Sequence, residues 1–153
     1  MFTWGVDKVC EWLEGIQINK KYIEKFRAEE VDGKSLLCLN KNSEKLKLVF
    51  NMKVGPLKIL QHELSVYSKD YDKYVPKWRE NGPIRSWDTK QLFNWLEGIG
   101  LPKKYLSLCE EEEINGKAFG ILSTSESNLV ETLELKEGPL ALLLENVQLY
   151  NDS

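Results

Sequence analysis

The sequence predicts an all-α protein that consists of two five-helix bundles in tandem, joined by a short linker. The first observation is a repeat: residues 4–64 align with residues 87–147 without a gap, and 20 of the 61 positions are identical. The second is the spacing of apolar residues such as Val9, Leu13 and Ile16, which share one face of a helix. The third is that no segment alternates apolar and polar residues as a half-buried β-strand does. The chain is therefore predicted to be a duplicated helical domain of about 65 residues.

The first helix of each copy contains the longest identical run, residues 12–16 over residues 95–99. In the second copy Asp88 and Gln91 form a predicted capping box ahead of this helix. We expect Gly15 or Gly98 to end the helix, because glycine is favoured just past a helix C-terminus. Four tryptophans recur at matched positions and are expected to lie in the core: Trp4, Trp12, Trp87 and Trp95.

The second helix is predicted over residues 20–28, and its counterpart opens with Pro102, a residue that suits the first position of a helix. Asp32 and Asn115 are predicted to cap a short third helix, because their side-chain oxygens can accept hydrogen bonds from free backbone N–H groups. A fourth helix is expected to begin at residue 42 or 43.

The fifth helix begins with a Gly-Pro pair in both copies, at residues 55–56 and 138–139. We predict that glycine is the N-cap and proline the first helical residue, where a missing N–H has no cost. A helix N-terminus also presents free N–H groups and the positive end of the helix dipole, so this stretch is a candidate binding point. In the first copy the helical spacing continues past Leu64, through Tyr71 and Tyr74, until Pro76 stops it.

These boundaries predict a first domain over residues 1–75 with an extended last helix, a linker over residues 76–86, and a second domain over residues 87–150. The linker is rich in turn-forming residues. Trp78 is large for a free linker, and we expect it to pack on one of the domains.

The composition argues against several classes of protein. The net charge of −3 gives no overall nucleic-acid signal, and 42% hydrophobic residues are ordinary for a folded chain. The longest apolar run, residues 140–144, has five residues, far below the roughly 18–20 of a membrane helix. The three cysteines are odd in number and lack metal-type spacing, which indicates reduced thiols. The expected location is the cytoplasm, with the nucleus possible, and no contact with a membrane is predicted.

The sequence offers no catalytic site. His62 is the only histidine, lies within a predicted helix facing solvent, and is replaced by Glu145 in the second copy. We find no glycine-rich phosphate loop, no His/Cys metal set and no Ser-His-Asp combination. The chain is predicted not to be an enzyme and to need no metal or cofactor.

The order of these elements resembles the sterile alpha motif (SAM) domain in both copies. The resemblance rests on a tryptophan at the domain start, Trp-Leu in the first helix, Val/Ile-Asp/Asn-Gly-Lys before the third, and Gly-Pro-Leu in the last. It implies a five-helix bundle whose usual work is protein–protein association, often head to tail. One surface, the mid-loop, lies around the second to fourth helices and is often acidic. The other, the end-helix surface, is the start of the fifth helix and is often basic.

The charges of the two copies fit this scheme. Residues 1–67 contain 11 Lys/Arg and 9 Asp/Glu, a balance of +2, whereas residues 87–150 contain 5 and 11, a balance of −6. The predicted end-helix surface is Lys53, Val54, Gly55, Pro56 and Lys58. The predicted mid-loop surface is Glu110, Glu111, Glu112, Glu113 and Asn115, with a weaker equivalent at Glu29, Glu30 and Asp32 in the first copy. Oppositely charged surfaces steer association and fix its register.

The predicted function is a scaffold or adaptor that binds other SAM domains or itself, with homo-oligomers expected. The sharper hypothesis is that the first copy's end-helix surface binds the second copy's mid-loop surface, either between molecules or within one. The alternative is RNA-hairpin binding of the Smaug type through Lys53 and Lys58. Ala141 at the second copy's equivalent of Lys58, and the balance of −6, oppose that alternative in the second copy.

Overall fold

The computed structural model describes residues 1–67 and 82–151, without the side chains of residues 149–151. It divides into two compact units. Unit 1 contains Met1–Val75 and Lys136–Leu142, and unit 2 contains Pro76–Leu135 and Leu143–Ser153. Each unit is described by itself below.

Within the described residues both units are helical, and the predicted all-α fold is confirmed. Residues 1–67 form α1 (Val6–Gly15), α2 (Lys20–Ala28), α3 (Gly33–Lys41), α4 (Ser43–Leu48) and α5 (Val54–Leu64), followed by a 3-10 turn (Ser65–Tyr67). Residues 82–151 form a 3-10 turn (Ile84–Ser86), then α6 (Thr89–Ile99), α7 (Lys103–Glu111), α8 (Gly116–Leu122), α9 (Glu126–Leu133) and α10 (Glu137–Asn151). No helix in these two ranges is both long enough and apolar enough to span a bilayer.

The core of unit 1 lies where its short helices meet. Phe26 of α2 stacks on Phe50 with ring centroids 4.5 Å apart, and both rings are buried. Trp4 and Trp12 were expected in this core but are only half-buried. They pack against each other and against Tyr67 at the margin of the unit, with centroids 5.5–6.1 Å apart. A large ring at the margin covers the apolar interior while one edge remains in water.

The core of unit 2 contains the equivalent tryptophans fully buried. Trp95 of α6 makes edge-on contacts with Trp87 and with Phe119 of α8, both with centroids 5.7 Å apart. The expectation of core tryptophans is therefore confirmed in this unit. Gly116, the first residue of α8, donates its N–H to the carbonyl oxygen of Trp87 at 2.9 Å, which brings two backbone segments into direct contact.

Several predicted helix ends are confirmed. The side chain of Asp32 accepts the N–H of Ser35 at 2.8 Å, and that of Asn115 accepts the N–H of Ala118 at 2.9 Å. The capping box before α6 is present in both directions. These caps satisfy backbone donors that the helix itself leaves without partners.

Other predicted ends are wrong by one or two residues. α6 continues through Gly98 and ends at Ile99, and its C-cap is Gly100, whose φ of 93° is the left-handed conformation that glycine adopts without strain. Pro102 is the N-cap of α7 rather than its first residue. In the fifth helix of the first copy, Lys53 is the N-cap, so Gly55 and Pro56 are the second and third helical residues. Proline fits there because the first four N–H groups of a helix have no intrahelical partner. The predicted continuation through Tyr71, Tyr74 and Pro76, and the packing of Trp78, lie outside the described residues.

Candidate partner-binding surfaces

The start of α5, residues 53–58, is an exposed and positively charged helix N-terminus in unit 1. The N–H of Lys53 donates to the hydroxyl of buried Tyr22 at 3.4 Å, which attaches this start to α2. Val54 is 66% exposed, and Lys53 and Lys58 are exposed. No side chain caps the helix, because the N-cap residue is a lysine, which has only hydrogen-bond donors.

This start is electrostatically unfavourable for the isolated unit. Lys53, the N-cap, places positive charge at the positive end of the helix dipole, which acidic residues normally occupy, and Lys58 adds a second positive charge in the next turn. The free N–H groups of the first turn point in the same direction. An acidic partner would supply both the missing hydrogen-bond acceptors and the missing negative charge.

The turn between α2 and α3, which we call the Glu29–Glu30 turn, contains the residues predicted as the mid-loop surface of unit 1. Glu29 is the C-cap of α2, and Glu30 adopts a left-handed conformation with φ of 55°. The side chain of Asp32, predicted as a binding residue, accepts hydrogen bonds from the N–H and hydroxyl of Ser35 at 2.8 and 2.7 Å. The structure thus gives Asp32 a capping role, whereas Glu29 and Glu30 form the turn itself.

Within unit 1, the Glu29–Glu30 turn binds the segment Lys136–Leu142, which contains the first residues of α10. The Glu29 carboxylate accepts the N–H of Glu137 at 2.9 Å, and the Glu29 carbonyl oxygen accepts the N–H of Gly138 at 2.8 Å. A second ionic contact joins the ammonium group of Lys45 to the Glu137 carboxylate at 3.6 Å. A helix N-terminus is therefore capped by an acidic turn that is more than 100 residues away in sequence.

Gly138 is required for this contact. A Cβ at position 138 would lie 2.8 Å from the carbonyl oxygen of Glu29 and closer still to that of Glu30. Both carbonyl oxygens belong to the backbone, which cannot move away as the end of a flexible side chain can. Only glycine lets the helix start approach the turn this closely.

The turn between α7 and α8 in unit 2, which we call the Glu112–Glu113 turn, has the same backbone conformation. Glu112 is the C-cap of α7, and Glu113 is left-handed with φ of 53°. Here Glu110, Glu111, Glu112 and Glu113 are all exposed. Four carboxylates at the negative end of the α7 dipole are unfavourable for their own helix. Asn115 caps α8, as Asp32 caps α3.

Sequence reasoning missed Glu137 and Gly138 as contact residues. Gly138 was read only as part of a helix start, although it is identical to Gly55 in the repeat alignment. Glu137 replaces Val54, and this substitution of an acid for an apolar residue was a detectable difference between the copies. The approach of the Gly138 backbone to the Glu29–Glu30 turn depends on tertiary packing, which the sequence does not encode locally.

The remaining titratable candidates from the sequence are His62 and the three cysteines. His62 is exposed on α5, as predicted. The side chains of Cys10, Cys38 and Cys109 are buried thiols. Burial raises the pKa of the Cys109 thiol to about 11, which keeps it protonated and unreactive near neutral pH.

Comparison with known proteins identifies the first repeat. The family model of the SAM domain (Sterile alpha motif) matches residues 2–68, so this part of the chain is a SAM domain. Polyhomeotic-like protein 1 of Homo sapiens and that of Mus musculus are each 40% identical over 53 residues, which cover 35% of this chain. The match spans 5% of either relative. No solved structure matches the chain. SAM domains are interaction modules rather than enzymes, and that the second repeat is also a SAM domain stays a prediction.

Proposed function

Because residues 2–68 are a SAM domain, we propose that this chain is a scaffold or adaptor that associates head to tail with other SAM domains, including further copies of itself. In this proposal the α5 start of one molecule binds the Glu112–Glu113 turn of another. The contact joins two different surfaces, so it propagates into open filaments or rings rather than closing as a symmetric dimer.

The observation that carries the proposal is that the charges on each surface have the same sign as the end of the helix dipole near which they lie. The α5 start has Lys53 at its N-cap and Lys58 in the next turn, and the run Glu110, Glu111, Glu112 and Glu113 puts four carboxylates at the negative end of α7. Each arrangement costs its own helix about 0.3–1 kcal/mol per charge at low ionic strength. Bringing the two surfaces together converts both costs into attraction, and the charge complementarity steers the encounter.

The tandem arrangement is part of the proposal. The 20 identities of the gapless alignment support a second SAM domain in residues 87–150. Five helices follow in the same order in residues 89–151 as in residues 6–64. Asn115 and Asp32 cap equivalent helices, and the two acidic turns share one backbone conformation.

The setting we propose is non-catalytic and intracellular, in the cytoplasm or the nucleus. Three buried cysteine thiols fit a reducing compartment. The role requires no cofactor, because the proposed contact consists of hydrogen bonds, ion pairs and packing between protein surfaces.

Light scattering across a concentration series tests the proposal. The wild-type chain should grow in mass with concentration, and more strongly at low salt than at moderate salt, because exposed charges are screened. The double variant Lys53→Glu/Lys58→Glu should remain monomeric. The control Lys20→Glu/Lys103→Glu makes the same change in net charge at exposed lysines that open α2 and α7, and it should assemble like the wild type.

A wild-type chain that stays monomeric at high concentration would contradict the proposal. So would assembly by the Lys53/Lys58 variant that equals that of the control variant. RNA-hairpin binding is tested in parallel by a salt titration with a labelled hairpin. If RNA rather than protein were the ligand, binding would weaken steeply with salt and the Lys53/Lys58 variant would lose it.

A further inference from the structure

We propose that the contact inside unit 1 shows the register of the contact between molecules, that is, which backbone and side-chain atoms pair. In this proposal each chain also offers one open helix start and one open acidic turn. This inference rests on the proposed function. It adds to that function the partner, which is a second copy of this chain, the atoms that pair, and the number of contacts per chain.

The two acidic turns are equivalent. Glu29 and Glu30 align with Glu112 and Glu113, and both pairs are identical in sequence. The second glutamate of each pair is left-handed, with φ of 55° and 53°. The next residue donates its N–H back into the preceding helix in both cases, Val31 to Phe26 at 3.0 Å and Ile114 to Cys109 at 2.9 Å. Both turns therefore follow the same backbone course and place a glutamate at the equivalent position.

The two helix starts are also equivalent. Gly55 and Gly138 are both the second residue of their helix, and each is followed by Pro-Leu. Their surroundings differ: a Cβ at position 138 collides with backbone, whereas a Cβ at position 55 has nothing within 4 Å. Neither glycine has a left-handed φ, so the backbone conformation of α5 does not require glycine at position 55.

Gly55 is thus a helix glycine that nothing in the described part of its own chain explains. Glycine in the first turns of a helix costs up to about 1 kcal/mol relative to alanine. The contact at Gly138 indicates why glycine occurs at position 55: glycine lets a helix start approach the backbone of a Glu-Glu turn. The filled contact in unit 1 is an observation independent of the charges, and it indicates what the α5 start binds.

Applying the pairing seen in unit 1 to the contact between molecules gives specific hydrogen bonds. The Glu112 carboxylate of one molecule accepts the N–H of Val54 from another, as Glu29 accepts that of Glu137. The Glu112 carbonyl oxygen accepts the N–H of Gly55, as that of Glu29 accepts the N–H of Gly138. Lys53 and Lys58 then lie beside the acidic run 110–113, which adds a charge attraction between molecules.

The filled contact also fixes the number of open sites. The Glu29–Glu30 turn already binds the α10 start, so neither is available to another molecule. The α5 start and the Glu112–Glu113 turn remain exposed. A chain with one open start and one open turn forms a linear assembly in which each molecule has two neighbours.

Gly55→Ala tests the register. Alanine favours the helix and meets no atom within 4 Å, so the variant should fold with unchanged circular dichroism. In sedimentation velocity, the concentration for half-assembly should rise at least about tenfold, because the new methyl group blocks the approach. The control Gly98→Ala adds the same methyl group at an exposed helix position, also with nothing within 4 Å, and should assemble like the wild type.

Mixing two variants tests the number of sites. Gly55→Ala keeps an open turn, and Glu112→Lys keeps an open helix start. Each alone should be monomeric, and an equimolar mixture should form a 1:1 dimer that does not grow further. Assembly beyond a dimer would show that each chain has further open sites and would overturn the inference.

The two proposals fail in different ways. If Lys53→Glu/Lys58→Glu abolishes assembly but Gly55→Ala assembles like the wild type, the head-to-tail function stands and the register is wrong. If the wild type does not assemble, the proposed function fails first.

Discussion

Replacing Gly116 with alanine should destabilise unit 2 by about 2–4 kcal/mol. A Cβ at this position would lie 2.8 Å from the carbonyl oxygen of Trp87, 2.9 Å from its Cβ, and closer still to the carbonyl oxygen of Ile84. Overpacking of this kind costs about 1–3 kcal/mol. The forced separation also breaks the hydrogen bond from the Gly116 N–H to Trp87, which contributes about 1 kcal/mol.

This loss is large for a unit of this size. Domains are typically stable by about 0.05–0.15 kcal/mol per residue, so a unit of roughly 70 residues has about 4–10 kcal/mol in total. The variant should therefore retain a native fold with a greatly lowered resistance to unfolding, rather than fail to fold altogether. Local unfolding should appear first at the contact between α8 and the Trp87 backbone.

Urea unfolding of the full chain, followed by circular dichroism, measures the loss, and peptide-resolved hydrogen exchange assigns it to α8. The matched control is Gly98→Ala in the last turn of α6, where a Cβ meets nothing within 4 Å. That variant should gain about 0.5–1 kcal/mol, because alanine is the better helix former. If Gly116→Ala unfolds within about 0.5 kcal/mol of the wild type, the close approach of the two backbones is wrong.

Two further predictions follow from the helix cap and the buried thiol of unit 2. Asp88→Ala removes the capping box of α6 and should cost about 1 kcal/mol by urea unfolding, whereas Asp88→Ser, which keeps an N-cap acceptor, should recover most of it. Since the folded pKa of Cys109 is about 11 and its ordinary value is 9.0, iodoacetamide at pH 8 should label it at least about a hundredfold more slowly than in the urea-unfolded chain. The same shift stabilises the folded state fully below about pH 9, and this contribution should be lost as the pH rises towards 11. Equal labelling rates in the folded and unfolded chain would contradict the burial of Cys109.

Local chemistry made parts of this fold predictable. The bounds of α2, the caps at Asp32 and Asn115, and the capping box at Asp88 each depend on residues within three or four positions. The class of fold followed from the repeat and from helical periodicity. These signals lie in the sequence because their partners are neighbours along the chain.

Two glycines at equivalent positions show what could not be predicted from the sequence. Gly55 and Gly138 occur in the same Gly-Pro-Leu motif, and sequence reasoning gave them the same role. The structure shows that one faces open space while the other lies against backbone. The difference depends on which distant segment packs nearby, and local sequence does not specify that. The acidic and basic surfaces were predicted from charge, but their use by a partner still depends on the experiments above.

The hydrogen bond from the Lys53 N–H to Tyr22 has a mechanical consequence. Tyr22 and Glu29 lie on the same helix, seven residues and therefore about 10 Å apart along its axis. In unit 1, α2 acts as a rigid strut that fixes the distance between an acidic turn and a helix start. The two surfaces of unit 1 therefore cannot move independently: a partner at the α5 start binds a surface whose distance from the Glu29–Glu30 turn is already fixed. Lengthening α2 would change this distance rather than remove either surface.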